Sequence, residues 1–358
     1  MNTGPGHPRF GSRRIRLVTV AGAVGIAVAA TALLGGFRPQ LYSVTPDEPG
    51  DQRSELVTTQ IVGIRTFERP EGITVDEDVE YGTQADGAVL TLDVCSPPIA
   101  TAPTDLADPA DPAPTGTASA TETAAALRPA VISIHGGSWA RGDKGNRDWR
   151  MVCTWLASEG FVAYSVNYRL VPDAVFPAAL DDVALAVEWA RAAANAQTYG
   201  IDPDRIGVFG GSAGGNLAAL LGTRGSGSLT DGARVAAVAE LSAPLDLSYQ
   251  ALVRGRAPAG LQNIVLDYLG CDTLRNCAKA AAASPASTLD SSDPPVFLGT
   301  STEEYIPLAQ ATGYAAALER TGIDHELVTV PGTLHSIGIL DAAMREKVSA
   351  FLHGALGE

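Results

Sequence analysis

Residues 205 to 221 read RIGVFGGSAGGNLAALL, and this stretch decides the fold. The apolar run before the glycines predicts a buried strand, and the alanine- and leucine-rich run after them predicts a helix. Between the two, Gly210-x-Ser212-x-Gly214 has the spacing of a sharp strand-to-helix turn, because a Cβ two residues either side of the serine would collide with neighbouring backbone. Ser212 would lie at the helix N-terminus, where unpaired N–H groups favour a developing negative charge. The stretch therefore predicts an α/β fold and makes Ser212 the candidate nucleophile.

The rest of the chain repeats the alternation of apolar strands with helical stretches. Continuous apolar strands separated by helices indicate a mostly parallel central sheet with helices on both faces. An antiparallel N-terminal hairpin is predicted ahead of them, from residues 79–82 and 89–94. The clearest helix spans residues 176–197, and we interpret Asp181 and Asp182 as charges near its start. The parallel strands are predicted near residues 130–134, 161–166, 205–210, 234–241, 295–299 and 326–330.

The N-terminal residues have the composition of a targeting segment. Arg13, Arg14 and Arg16 precede a run from Leu17 to Phe37 that carries no charge. This run of about 21 residues is long enough to cross a hydrocarbon core. We therefore expect residues 1–37 to be a signal anchor or a signal peptide, and the protein to be exported, either secreted or held at the cell membrane facing outside.

Composition divides the remaining chain and limits its partners. Residues 38–75 are polar with prolines and predict a tether without a packed element, ahead of a folded domain at 76–358. Residues 97–128 contain almost no large apolar side chain and predict a disordered insertion in that domain.

The net charge of −15 over 358 residues disfavours nucleic acid as a partner, and the membrane is expected to be reached only through the N-terminal segment.

Four cysteines in an exported chain permit two disulfides. Cys271 and Cys277 lie in one short segment and are predicted to close a small loop. Whether Cys95 and Cys153 form a disulfide is left open, because Cys153 falls in an apolar helical pattern that also suits a free buried thiol.

A serine hydroxyl needs a base within hydrogen-bond reach, and that base needs a carboxylate to fix its tautomer. His335 is the candidate base: it follows the strand at 326–330 and precedes a final helix, which places it at the carboxyl edge of the sheet. It also follows the nucleophile along the chain. His135 precedes the nucleophile and is interpreted as a brace for its own loop. Surface or structural roles are expected for the remaining histidines, His7, His325 and His353.

The acid is expected in the loop after the strand at 295–299, where Glu303 and Glu304 are adjacent. Adjacent residues point in different directions, so only one of them can orient the imidazole. Glu303 is the first choice because of its spacing to Pro307, Glu304 is the second, and Asp246, after an earlier strand, is the third.

The stretch IHGGSW at residues 134–139 follows the first parallel strand. Its glycines allow backbone N–H groups to face the cleft, as an oxyanion hole requires. The predicted donors are the amides of Gly137, Ser138 and Ala213. Trp139 is expected to form a wall of the substrate pocket, with a buried core role as the alternative.

These segments together carry a family resemblance. The segments are HGGSW at 135–139, NYRL at 167–170, FPA at 176–178, GGSAGG at 210–215, SPAS at 284–287 and PGTLH at 331–335. In this order, over about residues 75–355, the chain resembles the α/β-hydrolase esterases of the hormone-sensitive-lipase-like and bifunctional deacetylase/feruloyl esterase type. It departs from their pattern at Ser138, where a third glycine is usual, and in carrying glutamate where the acid is usually aspartate.

The resemblance implies an α/β-hydrolase fold and cleavage of short-chain, acetyl or aryl carboxylic esters of small molecules or carbohydrates, without a cofactor or metal. Two alternatives stay open. The same three groups serve amidases such as arylformamidases, and peptidases, because a fold does not fix its substrate. A catalytically silent hydrolase fold used as a binding module is the other alternative.

Overall fold

The computed structural model describes residues 62–85, 87–98 and 126–357. The predicted targeting segment at 1–37, most of the tether and most of the insertion at 97–128 lie outside these residues. Among the helices in the described ranges, none combines the length and the apolar character needed to cross a membrane.

Eight strands form one sheet in the order β1-β2-β4-β3-β5-β6-β7-β8. The strands are β1 (Thr74–Thr83), β2 (Val89–Ser96), β3 (Arg128–Ile134), β4 (Val162–Val166), β5 (Ile201–Gly211), β6 (Ala237–Leu241), β7 (Val296–Ser301) and β8 (His325–Val330). β2 pairs antiparallel with both β1 and β4, and every other neighbouring pair is parallel. The predicted N-terminal hairpin and mostly parallel sheet are thereby confirmed.

Helices cover both faces of this sheet. They are α1 (Arg147–Ser158), α2 (Ala178–Arg191), α3 (Ala193–Tyr199), α4 (Ala213–Gly222), α5 (Ala259–Leu269), α6 (Lys279–Ala282), α7 (Ala309–Thr321) and α8 (Ala342–Leu356). Side chains alternate along a strand, so Val131 and Ile132 of β3 enter two separate core clusters, and both are fully buried. Burial on both faces explains why the strands read as continuous apolar runs.

The helix predicted at 176–197 is two helices, because the chain is extended at Ala192 (φ −56°, ψ 131°). The Asn195 side-chain amide donates to the carbonyl of Trp189 at 2.8 Å, which satisfies one of the acceptors left free at the end of α2. The interpretation of Asp182 as a charge at a helix start is also wrong. Its carboxylate is fully buried and accepts hydrogen bonds from the Arg169 side chain and backbone amide.

The folded region begins earlier than the sequence predicted. Residues Gly63–Thr66 form a 3-10 turn within the expected tether. Ile64 and Ile73 are 2% and 5% exposed and belong to the core cluster that also contains Val131. The prediction of no packed element is therefore wrong for the end of this segment, where a short apolar stretch at residues 61–64 among polar residues gave too weak a pattern.

Both possible disulfides are present. Cys271 and Cys277 are bonded, as predicted, and close a loop with a sequence separation of 6. Cys153 is bonded to Cys95, with a Cα–Cα distance of 5.8 Å, and so is not a free thiol. This bond links β2 to α1, and no local sequence pattern indicates such a long-range contact.

Candidate active site

The turn that carries Ser212 has the strained geometry that the sequence predicted. Ser212 has φ 57° and ψ −122° directly before α4. A Cβ on Gly210 would lie 2.2 Å from the carbonyl oxygen of Gly214, and one on Gly214 would lie 2.1 Å from that of Ile134. Neither glycine can carry a side chain here. The strain is maintained by the sheet, where the Ser212 amide donates to the carbonyl of Leu241 at 2.8 Å.

Ser212, Ala213, Gly137, Ser138 and His335 line one cavity of about 640 Å³ at the carboxyl edge of the sheet. Trp139 also lines it while remaining buried, with its ring stacked on Tyr268 at 4.0 Å between centroids. The Ser212 hydroxyl and the His335 ring share the cavity without a hydrogen bond between them. Such contacts are commonly long in the absence of substrate and tighten when it binds.

The loop after β3 leaves its amides available to the cavity. Gly137, Ser138 and Trp139 all have positive φ angles, of 130°, 59° and 55°. Gly137 uses its carbonyl oxygen to accept from Ala140 and Arg141, both at 3.1 Å. By contrast, its amide and those of Ser138 and Ala213 donate to no acceptor in the part of the chain that the structure describes. Three unpaired donors at one cavity are an arrangement that can bind an oxyanion.

His135 lies outside this arrangement. Its ring is 1% exposed, stacks on Tyr168 at 4.4 Å, and places Nδ1 2.9 Å from the carbonyl oxygen of Gly136. The Tyr168 hydroxyl donates to the His135 carbonyl at 2.8 Å. Burial lowers the pKa of His135, which favours the neutral ring. These contacts suit the expected role of bracing the loop.

Glu304, and not Glu303, meets His335. Oε2 of Glu304 is in a hydrogen bond with His335 Nδ1, and the glutamate side chain is fully buried. Glu303 is exposed, and its backbone amide donates to the Gly332 carbonyl at 2.9 Å. Asp246 is not hydrogen-bonded to His335, and its Oδ1 accepts from the Ser248 amide at 2.9 Å. Of the three candidate acids, the second choice, Glu304, is therefore the one that contacts His335, and the first choice, Glu303, is wrong.

The physical reason lies in the donors around the end of β7. Oε1 of Glu304 accepts from Ser242 Oγ at 2.7 Å, Thr300 Oγ1 at 2.8 Å and the Ser301 amide at 3.0 Å. Burial acts to raise the pKa of Glu304, but the hydrogen bonds from His335, Ser242, Thr300 and Ser301 outweigh it and leave that pKa below its ordinary value. The buried carboxylate is therefore charged at neutral pH.

Ser242 is a residue that sequence reasoning missed. Its hydroxyl donates to Glu304 and accepts from the Ser336 amide at 2.9 Å, so it joins the acid to the loop of His335. It has a positive φ of 58° directly after β6. A serine following a parallel strand, at the same edge as Ser212, is the available signal, but it does not separate Ser242 from other loop serines.

A second buried carboxyl lies behind the site. Glu240 of β6 is fully buried, and Oε2 accepts from the Ala243 amide at 2.8 Å, while Oε1 has no partner among the described residues. Burial, together with the charge of Glu304, raises the pKa of Glu240 well above its usual range. Burial therefore favours the neutral form of Glu240, while the hydrogen bonds to Glu304 favour its charged form.

With this geometry established, comparison with known proteins identifies the family. The BD-FAE family model matches residues 119–318, which is more than half of the chain. The chain belongs to the BD-FAE family. This agrees with the resemblance carried by the motifs at Ser212 and His335.

Similarity to individual curated proteins is more local. Esterase LipQ of Mycobacterium tuberculosis is 30% identical over 201 residues, covering 54% of this chain and 46% of LipQ. Arylacetamide deacetylase of Bos taurus is 42% identical over 96 residues, covering 26% of this chain and 24% of that protein. The chain thus spans about a quarter to a half of the length of these curated relatives.

The fold is shared with solved esterase structures. A truncated carbohydrate esterase from gut microbiota superposes with a TM-score of 0.62 and 22% identity, covering 80% of this chain and 97% of that chain. At this identity the likeness establishes the α/β-hydrolase fold alone. Substrate and activity have to be argued from the site itself.

Proposed function

We propose that this protein is a serine hydrolase that cleaves short-chain, acetyl or aryl carboxylic esters through an acyl-enzyme. The observation that carries the proposal is the buried, charged Glu304 bonded to His335, in a cavity that His335 shares with Ser212. A carboxylate on Nδ1 holds the proton there and leaves Nε2 free to accept the hydroxyl proton of Ser212. The names of the similar proteins, an esterase and an arylacetamide deacetylase, support the same chemistry.

The steps follow from these positions. His335 Nε2 takes the Ser212 proton as Oγ bonds to the carbonyl carbon of the ester, and the amides of Gly137, Ser138 and Ala213 bind the oxyanion. Collapse of this tetrahedral intermediate breaks the bond between the carbonyl carbon and the alcohol oxygen, and the alcohol leaves with the proton held by His335. Water then gives a proton to His335 and attacks the acyl-enzyme, and the acid is released as Ser212 regains its proton.

The test uses Ser212→Ala. We expect this variant to keep the thermal unfolding midpoint of the wild type and to lose hydrolysis of 4-nitrophenyl acetate together with labelling by a fluorophosphonate. Turnover retained at the wild-type rate by folded Ser212→Ala would refute the mechanism. A wild-type protein that the fluorophosphonate does not label would favour the alternative of a silent binding module.

Amide cleavage is a second candidate, supported by the similarity to arylacetamide deacetylase. The same acyl-enzyme forms from an anilide if His335 protonates the leaving nitrogen. Comparing kcat/KM for 4-nitroacetanilide and 4-nitrophenyl acetate separates the two, because the acyl group and the chromophore match. We expect the ester to be preferred.

We also propose that the folded domain works outside the cytoplasm. Two disulfides support this, because they form and persist in oxidising compartments. Comparing the location of the full chain with that of a chain lacking residues 1–37 tests the proposal. Retention of the shortened form inside the cell, with export of the full chain, is the expected result.

A further inference from the structure

The cavity that holds Ser212 contains one charged side chain without a partner. Apart from the Tyr305 hydroxyl, its ionisable lining groups are the side chains of Arg141, Asp148 and His335. Asp148 is paired with Arg65, whose Nε and Nη2 donate to the two carboxylate oxygens at 3.0 and 2.7 Å. His335 is bonded to Glu304. Within the cavity wall, only the charge of Arg141 is left unmatched.

Arg141 has no hydrogen bond or ion pair from its guanidinium to the residues that the structure describes. The nearest acid along the chain is Asp143, and its two oxygens are hydrogen-bonded to other residues. Oδ1 accepts from the Gly145 amide at 2.7 Å, and Oδ2 accepts from Asn167 Nδ2 at 3.0 Å. The guanidinium is therefore available to a ligand.

The base of Arg141 is held close to the reactive centre. Its amide donates to the Gly137 carbonyl at 3.1 Å. A Cβ placed on Gly137 would lie 3.3 Å from Arg141 Cγ, so the start of the side chain lies against the loop that offers amides to the cavity. A substrate whose carbonyl reaches Ser212 therefore lies in a cavity that Arg141 also lines.

We propose that Arg141 binds a carboxylate carried by the ester substrate, so that the preferred substrates are anionic esters. This assignment rests on the proposed ester hydrolysis and names its substrate class. A guanidinium presents a planar fork of donors that matches a carboxylate in two-point contact. In a chain of net charge −15, an anionic substrate is disfavoured at long range, so its binding needs a local cation such as this one.

The experiment compares matched charged and neutral esters. 4-Acetoxybenzoate and 4-acetoxybenzamide place the charge on the alcohol side, and 4-nitrophenyl hemisuccinate and 4-nitrophenyl butyrate place it on the acyl side. In Arg141→Gln we expect KM for the charged ester of at least one pair to rise about 10- to 150-fold, as for loss of a hydrogen bond to a charged group. KM for the neutral esters should not change. Arg320→Gln, an exposed site on α7, controls for net charge.

The proposal is overturned if the ratio of charged to neutral KM in both pairs is the same in wild type and Arg141→Gln. Failure of the proposed ester hydrolysis would appear differently, as absence of turnover of all four esters. In that event calorimetric titration of Ser212→Ala with 4-acetoxybenzoate and 4-acetoxybenzamide decides. Tighter binding of the benzoate that disappears in Ser212→Ala/Arg141→Gln supports the carboxylate site, and equal binding of the two overturns it.

Discussion

The substitution Glu304→Gln tests the assignment of the acid. It removes the charge but keeps the shape of the side chain. The amide oxygen can still accept the three hydrogen bonds that Oε1 accepts from Ser242, Thr300 and Ser301. The amide nitrogen then faces His335 Nδ1 and donates to it. This moves the imidazole proton to Nε2, which can no longer accept the proton of Ser212.

Rotation of the new amide by 180° would restore an acceptor for His335, but the structure opposes it. The NH₂ group would then face the backbone amide of Ser301, which can only donate. Leaving that buried donor unsatisfied costs about 1–3 kcal/mol. We therefore expect the unproductive tautomer to dominate and kcat to fall about 10⁴-fold, which corresponds to about 5.4 kcal/mol of transition-state stabilisation.

The assay is initial-rate hydrolysis of 4-nitrophenyl acetate, with the thermal unfolding midpoint as the folding control. Two matched variants accompany it. Glu303→Gln changes an exposed side chain, and Asp246→Asn keeps the oxygen that accepts from Ser248. Both should retain wild-type kcat. Activity of Glu304→Gln close to that of the wild type, or an equal loss in Glu303→Gln, would refute the reasoning.

Three further predictions concern the surroundings of the site. Ser242→Ala leaves the buried Ser336 amide unpaired, so we expect a loss of about 1–3 kcal/mol in the free energy of unfolding and a lower kcat for 4-nitrophenyl acetate with little change in KM. Glu240 has a folded-state pKa raised above its unfolded value, so its carboxyl favours folding below about pH 4 and opposes it increasingly as the pH rises. Glu240→Gln should therefore raise the unfolding midpoint at pH 8 and lose this advantage near pH 4; a constant difference across that range would contradict the sign. Replacing Cys95 and Cys153 by alanine opens a loop with a sequence separation of 58, for which chain entropy predicts a loss of about 4 kcal/mol, measured by urea unfolding at equilibrium.

The features that the sequence predicted correctly have causes close together along the chain. The turn at Ser212 follows from Gly210, whose Cβ position is filled by the backbone of Gly214 and Gly215. The parallel sheet follows from apolar runs that are continuous because both faces are covered. Neither inference needs to know which distant segment is a neighbour.

Features set by distant contacts could not be predicted in this way. The bond from Cys95 to Cys153 depends on β2 lying beside the face that α1 covers. The sequence pattern around Asp182 predicts a charge near a helix start. In the fold, Arg169 from the loop after β4 instead forms a hydrogen bond to this carboxylate. In each case the pattern of the segment itself fits two environments, and the tertiary neighbour decides between them.

The choice between Glu303 and Glu304 shows the same limit at the site. A carboxylate can be buried only where donors replace its water, and the donors here come from the end of β7 and from Ser242, which is 62 residues away in sequence. These donors occupy Oε1 and leave Oε2 of Glu304 for His335, which fixes both the charge and the direction of the carboxylate. Glu303, exposed one residue earlier, has no such donors. The sequence places two glutamates in the loop, but the position of Ser242 selects the one that can hold the imidazole.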